Sequence, residues 1–227
     1  MKKPRFSPSS IGTFKDCPKC FWLEKHNQLK RPRGIFPSLP GGMDRILKVY
    51  MDGCRAAGIL PPEISYVGAE GISLFSDQEK LNLWRNWRTG LMYEGSEFTM
   101  SGAFDDLLVT NLGLHVPFDY KTKGKEANEE DTIKYYQTQV DCYALMLRSN
   151  GMPVADFALF SYWSPDSVHG GEAGLVRFLA QTIKIPVDPD KAVEICLKAA
   201  ECLAGPVPAH SAECEYCIFA GSRKLVN

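Results

Sequence analysis

Residues 98–123 read Phe98-Thr-Met-Ser-Gly102-Ala-Phe-Asp105-Asp-Leu-Leu-Val-Thr-Asn111-Leu-Gly113-Leu-His115-Val-Pro-Phe-Asp119-Tyr-Lys121-Thr-Lys123. Two runs rich in Leu, Val and Phe flank Asn111-Leu112-Gly113, where Asn and Gly supply the backbone freedom of a tight turn, so the stretch predicts a β-hairpin. A turn centred on Leu112 sets Asp105 opposite Asp119. Asp119 and Lys121, two apart on one strand, point to the same side of the sheet. Opposed carboxylates repel and destabilise a bare sheet, and a divalent cation between them is the natural compensation. An Asp-x-Lys pair on a solvated sheet face explains the same residues without any chemistry. The flanks weigh against that: Leu107, Leu108 and Val109 follow Asp105, and Leu114, Val116 and Phe118 precede Asp119. Charges set in apolar strands need a partner or a metal.

Beyond the hairpin, a polar loop carries Lys123 and Lys125 before an acidic run, Glu126 to Asp131. A helix is expected over 131–148. Gln139 and Tyr143 are four apart and share a face, which Tyr136 and Leu147 extend. Packing of that face on the sheet would account for the same spacing.

Taken together, Gly102-Ala-Phe-Asp105, Asp119-Tyr-Lys121-Thr122, Gln139-Val-Asp-Cys-Tyr143 and four cysteines at the two ends resemble the PD-(D/E)XK nuclease superfamily, in particular its RecB-like branch. That branch includes CRISPR-associated adaptation nucleases and the nuclease domains of helicase-nucleases. The resemblance spans nearly the whole chain. It implies an α/β, restriction-endonuclease-like fold, a mixed central sheet of four or five strands flanked by helices. It implies Asp105, Asp119 and Lys121 as catalytic residues, with Gln139 and Tyr143 beside them. Asp105, Asp119 and the backbone carbonyl of Tyr120 would hold Mg2+ or Mn2+. Relatives often carry a metal-binding His after a Gly near a helix start. Here Gly41-Gly42 opens a helical stretch from Met43 to about Ala57, and the corresponding residue is Asp44. An Asp is a sound oxygen ligand, although the helix dipole alone also favours one there.

Eight cysteines without a recognisable secretory leader point to metal ligation in a reducing compartment, because four of them form two Cys-x-x-Cys pairs. Cys17/Cys20 and Cys214/Cys217 together offer the four thiolates that suit one Zn2+ or an iron–sulfur cluster. The resemblance favours [4Fe–4S]. Relatives usually place one cysteine at the N-terminus and three at the C-terminus, so the two-plus-two arrangement keeps Zn2+ as the alternative. Cys54, Cys142, Cys196 and Cys202 fall in expected helices and read as small core residues.

The rest bounds the answer. With 227 residues, 44% hydrophobic, the chain can bury one substantial core, read as a single domain in which residues 1–26 and 205–227 form a metal-bound terminal subdomain. A net charge of −1 makes any nucleic-acid surface local; Lys123, Lys125, Arg31 and Arg33 are the candidate phosphate contacts. No long apolar run suggests a membrane span, and the expected location is cytoplasmic. No phosphate-loop or dinucleotide fingerprint occurs, and the four histidines lack ligand spacing. Of these only His115, in the hairpin, stays a candidate.

Elsewhere, Ser7 should cap a helix begun by Pro8. Ser76-Asp-Gln-Glu79 should open another in a capping box, and Asp188 a third before Lys191 to about Leu203. Strands are expected within Tyr66 to Phe75, over Val154 to Trp163 and over Leu175 to Val187. The expected activity is hydrolysis of single-stranded DNA or DNA ends, by exonuclease rather than endonuclease action, in repair, recombination or CRISPR adaptation, with protein partners from such a complex. The rival is a catalytically inactive nuclease-fold DNA-binding or structural subunit.

Overall fold

A computed structural model describes residues 3–32, 34, 38–65, 71–170 and 174–223. Arg33, Lys224 and the first part of the expected Tyr66–Phe75 strand lie outside the described residues, as does the Arg223 side chain.

The alternation around Leu112 forms the predicted hairpin. Strands β5 (Asp106–Thr110) and β6 (His115–Thr122) pair antiparallel with Asp106 opposite Phe118 and Val109 opposite His115. Gly113 takes φ +74° in the turn, which its missing side chain permits. After the hairpin, α6 (Glu129–Ser149), capped by Asn128, crosses over to β7 (Phe157–Val168), which lies parallel to β6. A parallel neighbour requires such a crossover. Strand β8 (Val176–Pro186) returns antiparallel, and β2 (Ile72–Leu74) edges the other side. The order β2-β5-β6-β7-β8 puts β6 at the centre of a mixed sheet.

Helices cover both faces, as an α/β sheet buried on both sides demands. On one face α3 (Ser38–Ala57) packs Leu47, Met51 and Cys54 onto Leu108, Val116, Phe118 and Tyr120. On the other, α6 packs Val140 and Ala144 onto Ala158, Phe160, Ile183 and Ile185. A third cluster joins α6 to α1 (Pro8–Asp16), α2 (Pro18–Asn27) and α7 (Pro189–Ala204) through Ile11, Phe21, Met146, Cys196 and Ala199.

Several local expectations shift. The run into the hairpin does not join the main sheet. Instead β1 (Arg5–Phe6), β4 (Thr99–Gly102) and β3 (Leu91–Glu94) make a separate three-stranded sheet. The chain leaves β4 at Gly102 and enters β5 at Asp106, so Asp105 sits in the break between sheets. Gly102 suits that passage, because a Cβ there would come within 2.8 Å of Met146 Cε. Ser7 caps α1 in a capping box with Ser10. In α5 (Gln78–Arg85) the cap is Asp77 rather than Ser76, its carboxylate accepting from the Lys80 N–H. Helix α3 begins before Gly41-Gly42, and α4 (Pro62–Ser65) is a single turn. Trp84 packs on Phe75, whereas Trp87 is exposed. Helix α8 (Glu215–Arg223) closes the described chain.

Candidate functional site

Strand alternation decides which way each charge points. Asp119 and Lys121 leave the same face of β6, and the Lys121 ammonium lies 2.7 Å from Asp119 Oδ1. The α6 face turned toward them is the expected one. Gln139 Nε2 donates to Asp119 Oδ2 at 3.0 Å and to the Tyr143 hydroxyl at 2.7 Å. The Tyr136 ring lies 5.0 Å beneath the Lys121 ammonium, a cation–π contact. Tyr143 is itself fixed against Phe104, with ring centroids 4.3 Å apart. From the break before β5, the Asp105 carboxyl faces Asp119 closely enough for each to shift the other's ionisation.

Asp119 is 1% exposed. Burial pushes its carboxyl up to about 7, Asp105 adds to the rise, and Lys121 opposes it. Asp105 is lowered instead: burial works against its charge, but Lys48, Asp119 and Lys121 together more than offset that. Burial works against the Lys121 ammonium, but Asp119 and Asp105 together outweigh that cost and hold its proton more tightly than usual.

A resident divalent ion can be tested against these groups. Asp119 Oδ1 is buried and has no aligned hydrogen-bond donor despite its ionic contact with Lys121. A buried carboxylate oxygen left without a donor, facing a second carboxylate, is a donor set that fits a hard cation such as Mg2+ or Mn2+. Asp44 enters differently. Lys48 Nζ lies 2.9 Å from both Asp44 Oδ2 and Asp105 Oδ1, so an ammonium of the chain itself links these carboxylates. Among the described residues, no third Asp, Glu, His or Cys closes on Asp105 and Asp119 within ligand range. His115 is turned away, its Nδ1 3.0 Å from the Pro153 carbonyl oxygen.

Sequence reasoning missed Lys48, and it missed the neighbour of Asp105. Asp106 is wholly buried on the opposite face and holds Arg55, Arg85 and the Tyr120 hydroxyl. Asp52 pairs with the same two arginines. Arg85 Nε also donates to the Asp105 carbonyl at 2.7 Å. This network therefore grips the backbone that presents Asp105 and the side chain of Tyr120, one residue from Asp119. The Asp44/Lys48 and Asp52/Arg55 spacings were the available signals.

The phosphate candidates are dispersed. Lys125 is exposed, and Lys123 pairs with Asp131 at 3.1 Å. Arg31 lies instead beside the cysteines, paired with Asp16 at 3.2 Å and stacked on Tyr216.

The Cys-x-x-Cys pairs meet. Cys17 caps α2, Cys20 lies in its first turn, Cys214 precedes α8 and Cys217 lies within it. Their four sulfurs all lie within 4.8 Å of one another. The chain ends are joined further by hydrogen bonds from Trp22 Nε1 to the Gly205 carbonyl and between the His26 ring and the Leu203 carbonyl. The four thiols are free and can hold a metal ion.

A central β6 carrying Asp119 and Lys121, a facing Asp105 and the Gln139/Tyr143 face of α6 form one candidate site in a mixed α/β fold. The family model of the PD-(D/E)XK nuclease superfamily matches residues 59–222, and the chain belongs to that superfamily. No curated protein matches it.

Proposed function

We propose that this protein is a Mg2+- or Mn2+-dependent deoxyribonuclease that hydrolyses single-stranded DNA or DNA ends, acting as an exonuclease. The carrying observation is the buried Asp119, whose Oδ1 lacks an aligned donor while Asp105 and Lys121 converge on it. Asp105, Asp119 and the Tyr120 carbonyl are the ligands. The ion, when bound, activates water and stabilises charge on the phosphoryl and leaving oxygens. Gln139, held by Tyr143, fixes Asp119 Oδ2 and leaves Oδ1 facing the site. Lys121 brings a point charge to the scissile phosphate, where it orients water or offsets developing negative charge. Lys123 and Lys125 contact flanking phosphates, with Arg31 and Arg33 as weaker candidates. The four cysteines hold a metal centre that ties the ends of one domain together. Repair, recombination or CRISPR adaptation, with protein partners in the cytoplasm, is the setting that the resemblance to the RecB-like branch supports. No helix among the described residues is long and apolar enough to cross a membrane.

One observation favours a second reading, a nuclease fold that binds DNA without turnover. Lys48 places a cation between Asp44 and Asp105, and relatives often carry a ligand His where Asp44 stands. Linear and covalently closed single-stranded DNA incubated with the pure protein and Mn2+ separate the readings. Degradation of linear DNA with sparing of circles supports the exonuclease. Binding of both without loss of either supports the second reading.

A further inference from the structure

Resting on the reading of the four cysteines as one metal centre, we propose that this centre is a single tetrahedral Zn2+ ion and not an iron–sulfur cluster. The argument is geometric. Cys17 and Cys217 sulfurs lie 3.9 Å apart, and Cys20 lies 3.6 Å from both Cys214 and Cys217. Four thiolates at ~2.3 Å from one central Zn2+ occupy tetrahedron corners separated by roughly 3.8 Å. A [4Fe–4S] cubane places a separate iron under each thiolate, which spreads the cysteinyl sulfurs on the order of 6 Å apart around a core of inorganic sulfide. No sulfur pair here reaches beyond 4.8 Å. The spacing matches ligands gathered around one atom.

The surroundings agree. Cys17, Cys20 and Cys214 are buried and Cys217 partly so, as in a closed structural site. The Cys217 and Ile218 N–H groups both donate to the Cys214 carbonyl, a tight turn that aims the second pair inward. Four thiolates around Zn2+ carry two net negative charges, which buried surroundings must offset. The Arg31 guanidinium packs against Cys20, and its Nε is buried without a hydrogen-bond partner, so it has a donor to offer a thiolate. Second-shell donors of this kind orient and tune metal ligands.

Metal and acid-labile sulfide are to be measured on full-length protein, purified anaerobically from cells supplied with iron, zinc and sulfur. The expected result is about one zinc per chain, no labile sulfide and no visible absorption, with exchange to Co2+ giving the intense bands of a tetrahedral thiolate site. Iron and labile sulfide in comparable amounts would overturn the zinc assignment alone, provided that Cys20→Ala and Cys214→Ala each abolish their binding. Zinc retained at wild-type level in both variants would overturn the shared four-cysteine centre itself. If either variant fails to fold, the Co2+ spectrum of the wild type carries the decision: weak bands of an oxygen- and nitrogen-bound ion would overturn the proposal. Metal content is read independently of cleavage, so an inactive protein holding one zinc supports this centre and counts against the nuclease reading alone.

Discussion

Asp119 is where burial and chemistry conflict most sharply. Its carboxyl is raised to about 7 by burial and by Asp105. Below the ordinary carboxyl value the unfolded and folded forms are both protonated and folding bears no penalty. As pH rises from there toward 7, the unfolded chain ionises first, so metal-free wild type loses stability across that window. Asp119→Asn does not titrate. Urea unfolding in chelator should therefore show the variant gaining on wild type between about pH 4 and 7. Parallel pH profiles would contradict the burial argument. Lys121→Ala should keep Mn2+ binding and lose nearly all cleavage, with stability within about 1 kcal/mol of wild type, because only part of the Asp119 environment is lost. Manganese binding by electron paramagnetic resonance, beside a cleavage assay, checks both. That Asp119 and Lys121 share a face of β6, and Gln139 and Tyr143 a face of α6, was legible because a two-residue strand period and a four-residue helix spacing fix directions without tertiary knowledge. Asp106 was not: it adjoins Asp105 in sequence but points to the opposite face, and its arginines come from α3 and α5.

At the scale of elements, that buried network joins α3, α5, β5 and β6. Asp106→Ala leaves Arg55 and Arg85 without their shared carboxylate and should cost about 3–5 kcal/mol, read by chemical denaturation. A change below 1 kcal/mol would mean that Asp52 alone satisfies both arginines. Asp188 accepts from the Asp190 and Lys191 N–H groups at the start of α7. Its replacement by Ala should cost about 1 kcal/mol, the usual worth of an N-cap. Caps were read well where Pro follows at once, as at Ser7 and Asp188, because Pro fixes the first helical position. Between Ser76 and Asp77 no such marker exists, and two good capping residues compete. The break at Ala103-Phe104-Asp105 was hidden for a different reason. Strand propensity runs straight through it, and only the pairing of β4 with β1 and β3 shows that the chain changes sheets.

Across the whole molecule, residues near both ends are joined by the four cysteines, which the paired Cys-x-x-Cys spacing announced. Which ion they would hold lay beyond spacing alone, since thiolates accept zinc and iron alike; the sulfur distances are the observation on which the zinc proposal rests. Charge is spread thinly, so DNA affinity should fall with added salt at the modest slope that a few local phosphate contacts give; a flat profile would remove Lys123 and Lys125 from the interface. The most direct test of the central claim is Mn2+-dependent degradation of end-labelled single-stranded DNA by wild type, Asp119→Ala and Lys121→Ala protein side by side. Degradation by wild type, abolished in both variants and by chelator, is the predicted result. Cleavage by Asp119→Ala at the wild-type rate would contradict the assignment of the site.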